Sequence, residues 1–118
     1  MMVRGIRGAI TVGENKEGCI LEGTRELLLA LQKENDFETA DIASILFSMT
    51  SDLNAAFPAA AARKLGWGLV PLLDMQEIAV PDSLPKCIRI LILINCQKNQ
   101  KEIIHCYLKG AKILRKDL

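Results

Sequence analysis

Arg89 is the residue hardest to reconcile with its neighbours. It stands in the run Cys87 to Cys96, which alternates as a strand would. Cys87, Leu91 and Leu93 share its face, and Ile88, Ile90, Ile92 and Ile94 form the other, so both faces are largely apolar. A guanidinium there either sits at the strand mouth, snorkelling to water beside Pro85 and Lys86, or is buried with a partner, because an unpaired buried charge is expensive. Arg7 raises the same question near the start of the chain. Its flanks Gly5, Ile6, Gly8 and Ala9 are small or apolar, which leaves room for a ligand or reflects tight sheet packing. Glu77 lies in Met75-Gln76-Glu77-Ile78, Arg63 follows a run of alanines, and Tyr107 is the single tyrosine. Each has an ordinary explanation alone: a salt bridge, a solvated carboxylate, a surface cation, a core residue with a satisfied hydroxyl. Several cations and one carboxylate, without a Ser-His-Asp order, a Gly-rich phosphate loop or a dinucleotide fingerprint, point instead to binding a small anion. The work of such a site is positioning and electrostatics, with no covalent step.

The elements that must position these residues follow from periodicity. Val3 to Val12 is rich in β-branched residues, with Gly5 and Gly8 interposed, and reads as a strand. Ile20, Leu21, Thr24, Leu27, Leu28 and Leu31 recur at helical spacing, with Glu22, Arg25, Glu26 and Lys33 on the other side. An amphipathic helix over about residues 17 to 34, stopping at Asn35-Asp36, is expected. Ile42 to Thr50 alternates as a half-buried strand. Ser51 to Asn54 is a turn, and Phe57 to Leu65 opens on proline and ends before Gly66, as a short helix does. Leu69 to Leu73 reads as a strand leading to Asp74 and Glu77, Val80 to Pro85 as a loop, and Cys87 to Cys96 as the strongest strand. Lys98 to Leu108 fits a short helix, and Ala111 to Leu114, after Gly110, a last strand. The expected fold is α+β: a mixed sheet with one long and one short helix on one face.

At 118 residues there is room for one domain, residues 1 to 118, and it buries roughly two-thirds of its unfolded surface. An enclosed pocket is easier to build where subunits meet. The net charge is +1, and no Lys/Arg-rich run of five or more occurs, so neither a nucleic-acid nor a membrane partner is indicated. No stretch approaches the roughly 20 apolar residues of a membrane span, and the N-terminus does not read as a secretory signal. A cytoplasmic protein with reduced cysteines is expected. Cys87 and Cys96, an odd number of positions apart in one strand, should face opposite ways and share no metal. No metal site is expected.

Taken in order, several segments resemble the small monofunctional chorismate mutases of the Bacillus type. These are Met2-Val3-Arg4-Gly5-Ile6-Arg7-Gly8-Ala9, Asp52-Leu53-Asn54-Ala55-Ala56-Phe57-Pro58-Ala59, Val70-Pro71, Met75-Gln76-Glu77, Lys86-Cys87-Ile88-Arg89, Tyr107-Leu108 and Leu114-Arg115-Lys116-Asp117-Leu118. They cover essentially the whole chain. The resemblance implies a homotrimeric pseudo-α/β-barrel with active sites at subunit interfaces. The implied reaction is rearrangement of chorismate to prephenate, a pericyclic [3,3] shift on the route to phenylalanine and tyrosine, with no cofactor or metal.

It also implies roles. Arg89 would meet the ether oxygen as negative charge accumulates there. Arg7 would bind the side-chain carboxylate, helped by the Tyr107 hydroxyl. Glu77 would accept from the substrate hydroxyl. Phe57 and Leu73 would line the pocket, with Arg63, Leu114 and Arg115 over its mouth. Two positions depart from the family pattern. Ala60 stands where a lysine is frequent, at a cost of ~1 kcal/mol in substrate capture. Asp74 stands where a cysteine is frequent; its backbone could still contact substrate, but its carboxylate would add negative charge beside Glu77. These departures motivate one alternative, a non-catalytic binding module for an aromatic-pathway dianion. Another enzyme on the same architecture, an enamine or imine hydrolase, would use a different arginine motif.

Overall fold

Alternating hydrophobicity lays down five strands in a computed structural model that describes residues 1–115. They are β1 (Met2–Thr11), β2 (Ile42–Met49), β3 (Leu72–Gln76), β4 (Cys87–Cys96) and β5 (Cys106–Leu108). Lys116, Asp117 and Leu118, the end of the C-terminal motif, lie outside the described residues. The strands form one mixed sheet in the order β3-β2-β4-β1-β5. β4 runs antiparallel to both its neighbours, while β2 pairs β3 and β1 pairs β5 in parallel.

Two helices cover one face of this sheet. The long one, α1 (Glu17–Asn35), buries Ile20, Thr24, Leu27, Leu28 and Leu31, the stripe its sequence period marked out. It stops where Asp36 adopts a left-handed conformation (φ 50°) and donates its backbone N–H to Gln32 O, an arrangement that terminates helices routinely. The short one, α2 (Ala59–Lys64), follows Pro58, whose fixed φ suits a helix entrance. Their apolar sides meet Ile6, Ile10, Ile45, Phe47, Ile88, Ile90, Ile92 and Ile94 in the main, largely aliphatic core.

At Gly8 the small residues around Arg7 serve packing on the helix side of the sheet. A Cβ there would lie 3.0 Å from the ends of both Leu27 and Leu31 and 3.1 Å from Cys106 O. Gly8 therefore lets α1 and β5 close on β1. Gly8→Val should destabilise the fold by about 1–3 kcal/mol through overpacking, read as a lowered Tm by circular dichroism; an unchanged Tm would mean that the site has room to spare.

Three expectations need correction. Lys98 to Leu108 holds no α-helix, only a 3-10 turn at Gln100–Glu102 capped by Asn99. Strand β5 occupies the end of that stretch, its three residues held by parallel pairing to β1. Ala111 to Leu114 is not a strand but part of a 3-10 segment, Lys109–Arg115. It is drawn against β1 where Gly110 N–H donates to Thr11 Oγ1 at 2.9 Å, and a Cβ on Gly110 would stand 2.8 Å from that oxygen. The third strand begins at Leu72, not Leu69, and so contains Asp74. Among the described residues, no helix is long and apolar enough to cross a membrane.

Candidate active site

The face of the sheet away from the helices carries Arg89, opposite Ala9 of β1 and Ser48 of β2. Its Nε donates to Glu77 Oε1 at 2.5 Å, a charge-assisted bond. Of the two possibilities for this arginine, the paired one holds: its side chain is 40% exposed and that of Glu77 14%. Glu77 is placed by its own backbone, whose N–H donates to Met49 O at 2.8 Å and carries the β2–β3 ladder past the end of β3. The start of β4 is anchored from the turn before α2. Asp52 Oδ2 accepts from Lys86 N–H at 2.9 Å, and Thr50 Oγ1 accepts from Cys87 N–H at 3.0 Å. Asp52 is thus a structural partner of the arginine strand that its turn-like sequence did not disclose.

Beside Arg89 lies a pocket of about 320 Å³. Arg7 from β1, Tyr107 from β5 and Arg115 from the end of the 3-10 segment line it with Arg89, over an apolar floor of Leu46, Leu91 and Met75. Three guanidinium groups and a phenol thus converge from four parts of the chain. Glu77 lines a neighbouring pocket of about 180 Å³ with Thr50, Asp52 and residues of the 78–85 loop. The Arg89–Glu77 pair therefore stands between two cavities, with the carboxylate on the side away from the other cations. A guanidinium has five N–H donors; Glu77 engages the one on Nε, so the terminal amino groups are those that can meet a ligand.

Arg7 has a partner that sequence reasoning missed: its backbone N–H donates to His105 Nδ1 at 2.9 Å. Burial first, then the nearby Arg7 and Arg115, holds the His105 pKa below the ordinary imidazole value. Ser48 and Met75 were also missed as pocket residues. Ser48 and Leu91 share the face of Arg89 in the strand alternation, which was a usable signal.

The remaining expected site residues are not gathered into this pocket. Asp74 points to the helix side, its register partner being the buried Phe47. Its Oδ1 accepts from Ala59 N–H at 3.0 Å and so ties β3 to the first turn of α2. The expected negative charge beside Glu77 is therefore a misplacement: alternation along β3 sends Asp74 one way and Met75 the other. Burial raises the Asp74 pKa, with the bond from Ala59 and the charge of Arg63 opposing the shift. Phe57 is 70% exposed and lines a groove with Leu21, Met49, Ala60 and Lys64 on the helix side. Arg63 is exposed on α2, and Leu73 is exposed on the helix-free face. Leu114 packs near the pocket, with Tyr107, against Ala9, Cys87 and Ala111. Cys87 belongs to that small cluster while Cys96 packs on the main core, so the two do face opposite ways. Burial pushes the Cys87 thiol up to about 11, which disfavours the thiolate.

The pocket is thus a cationic cradle without an activated nucleophile, on a mixed sheet backed by two helices. A family model described as chorismate mutase type I matches residues 3–118. The chain belongs to that family. It is 48% identical over 118 residues to the chorismate mutase AroH of Thermus thermophilus, covering 99% of this chain and 97% of that protein. It is 44% identical over 119 residues to the chorismate mutase AroH of Bacillus subtilis (strain 168), covering 100% and 94%. Among solved structures it is similar to a chorismate mutase from Clostridium thermocellum, with a TM-score of 0.92 and 48% identity over 93% of this chain and 98% of the other. Membership in the type I chorismate mutase family agrees with the resemblance carried by the ordered motifs.

Proposed function

We infer that this chain is a chorismate mutase, an isomerase that converts chorismate to prephenate by a [3,3] rearrangement in aromatic amino acid biosynthesis. The observation that carries this reading is the convergence of Arg7, Arg89, Arg115 and Tyr107 on one pocket, in a chain that the type I family matches almost end to end. The substrate has two carboxylates, a hydroxyl and an ether oxygen whose bond breaks as a carbon–carbon bond forms. A catalyst must hold the flexible side chain over the ring and stabilise separating charge. Arg7 takes the side-chain carboxylate with a two-pronged guanidinium, and the Tyr107 hydroxyl adds a donor. The terminal amino groups of Arg89 meet the ether oxygen as it gains negative charge. Glu77 orients Arg89 and accepts from the substrate hydroxyl beside the developing positive charge. Leu114 and Arg115 cover the mouth. No proton needs to move.

The site is completed by a neighbouring subunit in a homotrimer. Phe57, Arg63 and Asp74 lie on the opposite side of the sheet from the pocket of their own chain, so a role for them at substrate requires a second copy. The helix-free face, with Leu73, Leu46 and Leu91 in register across β3, β2 and β4 and Leu93 next along the same face of β4, is an apolar surface suited to that contact. Leu73 enters the site of its own chain at the edge, and the backbone at Asp74 enters that of the neighbour. Four free cysteines suit a reducing cytoplasm. Within one chain the binding-module alternative loses one of its two motives, because the Asp74 carboxylate is turned away from Arg7, Arg89 and Arg115 and is held by the Ala59 N–H.

The test is direct. Purified protein mixed with chorismate, without added cofactor, should consume it and yield prephenate far above the spontaneous rate. Saturable binding with no rate above background would leave the binding module standing and end the enzymatic reading.

A further inference from the structure

We propose that His105 is a positioning residue for this site: its neutral imidazole latches β5 to β1 and so fixes Tyr107 relative to Arg7. The proposal rests on the chorismate mutase reading for its kinetic consequences, though not for the latch itself. β5 is an edge strand of three residues that, among the described residues, pairs only with β1, in register from Gly8↔Cys106 to Ile10↔Leu108. Such a short strand is poorly held by its ladder alone. The bond from Arg7 N–H to His105 Nδ1, at 2.9 Å, adds a rung just before that register begins. The strand's approach is tied from the other side by Asn35 at the end of α1, which donates to Ile104 O at 2.8 Å and accepts from Ile104 N–H at 2.9 Å. Arg7 and Tyr107 both line the pocket, so a slack β5 would separate the two donors assigned to one carboxylate.

The latch works in one protonation state. A ring nitrogen accepts only with its lone pair free, so the proton of the neutral ring sits on Nε2. Protonating Nδ1 removes the acceptor and adds a cation next to Arg7 of β1 and Arg115 of the 3-10 segment. Those two cations, after burial, account for the lowered pKa. The α1 carboxylate Glu34 acts on the thiol of Cys106, where it assists burial in raising the pKa. A lowered histidine pKa means that the unfolded chain takes up the proton first. The latch is fully present above the unfolded value of 6.5 and is lost as pH falls toward and through the folded pKa.

Asparagine can offer a carbonyl oxygen where Nδ1 sits, and it does not titrate; alanine offers nothing. His105→Ala should lower kcat/KM for chorismate by about tenfold, chiefly through KM, and make the Arg7 amide exchange with deuterium about tenfold faster or more. His105→Asn should restore both to within about threefold of the parent, and should abolish the parent's loss of kcat/KM on acidification below the His105 pKa. An Arg7 amide equally protected in His105→Ala and in the parent overturns the latch, whatever the activity. Equal kcat/KM in the alanine variant and the parent, or an asparagine variant as impaired as the alanine one, overturns the positioning role. A parent protein that does not turn over chorismate sinks the functional reading instead, and the exchange measurement still decides the latch.

Discussion

Arg89→Ala should lower kcat for chorismate by about 10²–10³-fold, the range expected when a donor aimed at developing negative charge is removed from a preorganised site. The loss belongs in kcat because the ether oxygen carries full demand for a donor only as its bond breaks; an interaction stronger in the transition state than in the ground state acts on turnover. The fold should survive. Arg89 lies on the face away from the helices, and its backbone pairs with Ala9 and Ser48 independently of its side chain. One complication is built into the site: truncation strands Glu77, whose side chain is only 14% exposed, and an unpartnered carboxylate is costly. Comparing Arg89→Ala with the double variant Arg89→Ala/Glu77→Gln separates the effects. Neutralising the stranded carboxylate should raise the melting temperature of the double variant above that of Arg89→Ala, while both stay slow because both lack the donor and the double variant also lacks the Glu77 charge. Turnover within a factor of two of the parent in Arg89→Ala would remove the role assigned to this residue.

What was legible in the sequence was whatever depends on periodicity. The α1 stripe and the alternation of β4 are repeated signals, and the stripe on its own gave the helix to within a residue of Glu17–Asn35. Arg89 was conspicuous because it broke an apolar pattern, and its need for a partner followed from the cost of burying charge. The illegible parts depend on contacts between distant residues. β5 is three residues long, too few to show a period, and is a strand only because β1 is there to pair with. The side of β3 on which Asp74 falls depended on where the strand began, and a start at Leu72 in place of Leu69 carried the residue into the alternation. Once there, it meets Ala59, a partner 15 residues away whose backbone N–H no side-chain motif announces. His105, the single histidine, looked unremarkable because its partner is a main-chain amide 98 residues away. The division of the expected site into two groups, one in the pocket and one across the sheet, likewise required the strand order.

That division leads to the second large effect, at Leu93. Leu93 lies on the helix-free face opposite Gly5 of β1 and Ser44 of β2, one pair beyond Leu91 at the pocket floor. It does not line the pocket, so a change there acts on substrate only through assembly. Leu93→Glu places a carboxylate on the apolar face assigned to subunit contact, and an unpaired charge there costs several kcal/mol in each protomer that buries it. In a closed trimer the penalty recurs at every equivalent position, so association should fail outright. Light scattering coupled to size exclusion should show one chain where the parent shows three. The core should be intact, since Ile92 and Ile94 still face the helices. Turnover should fall by about 10²-fold or more because Phe57 and Arg63 of the neighbour are no longer supplied, and the substrate loses part of its orientation. A glutamate variant that remains trimeric and active would place the interface elsewhere. A variant that is monomeric and fully active would show that Arg7, Arg89, Arg115 and Tyr107 of a single chain suffice.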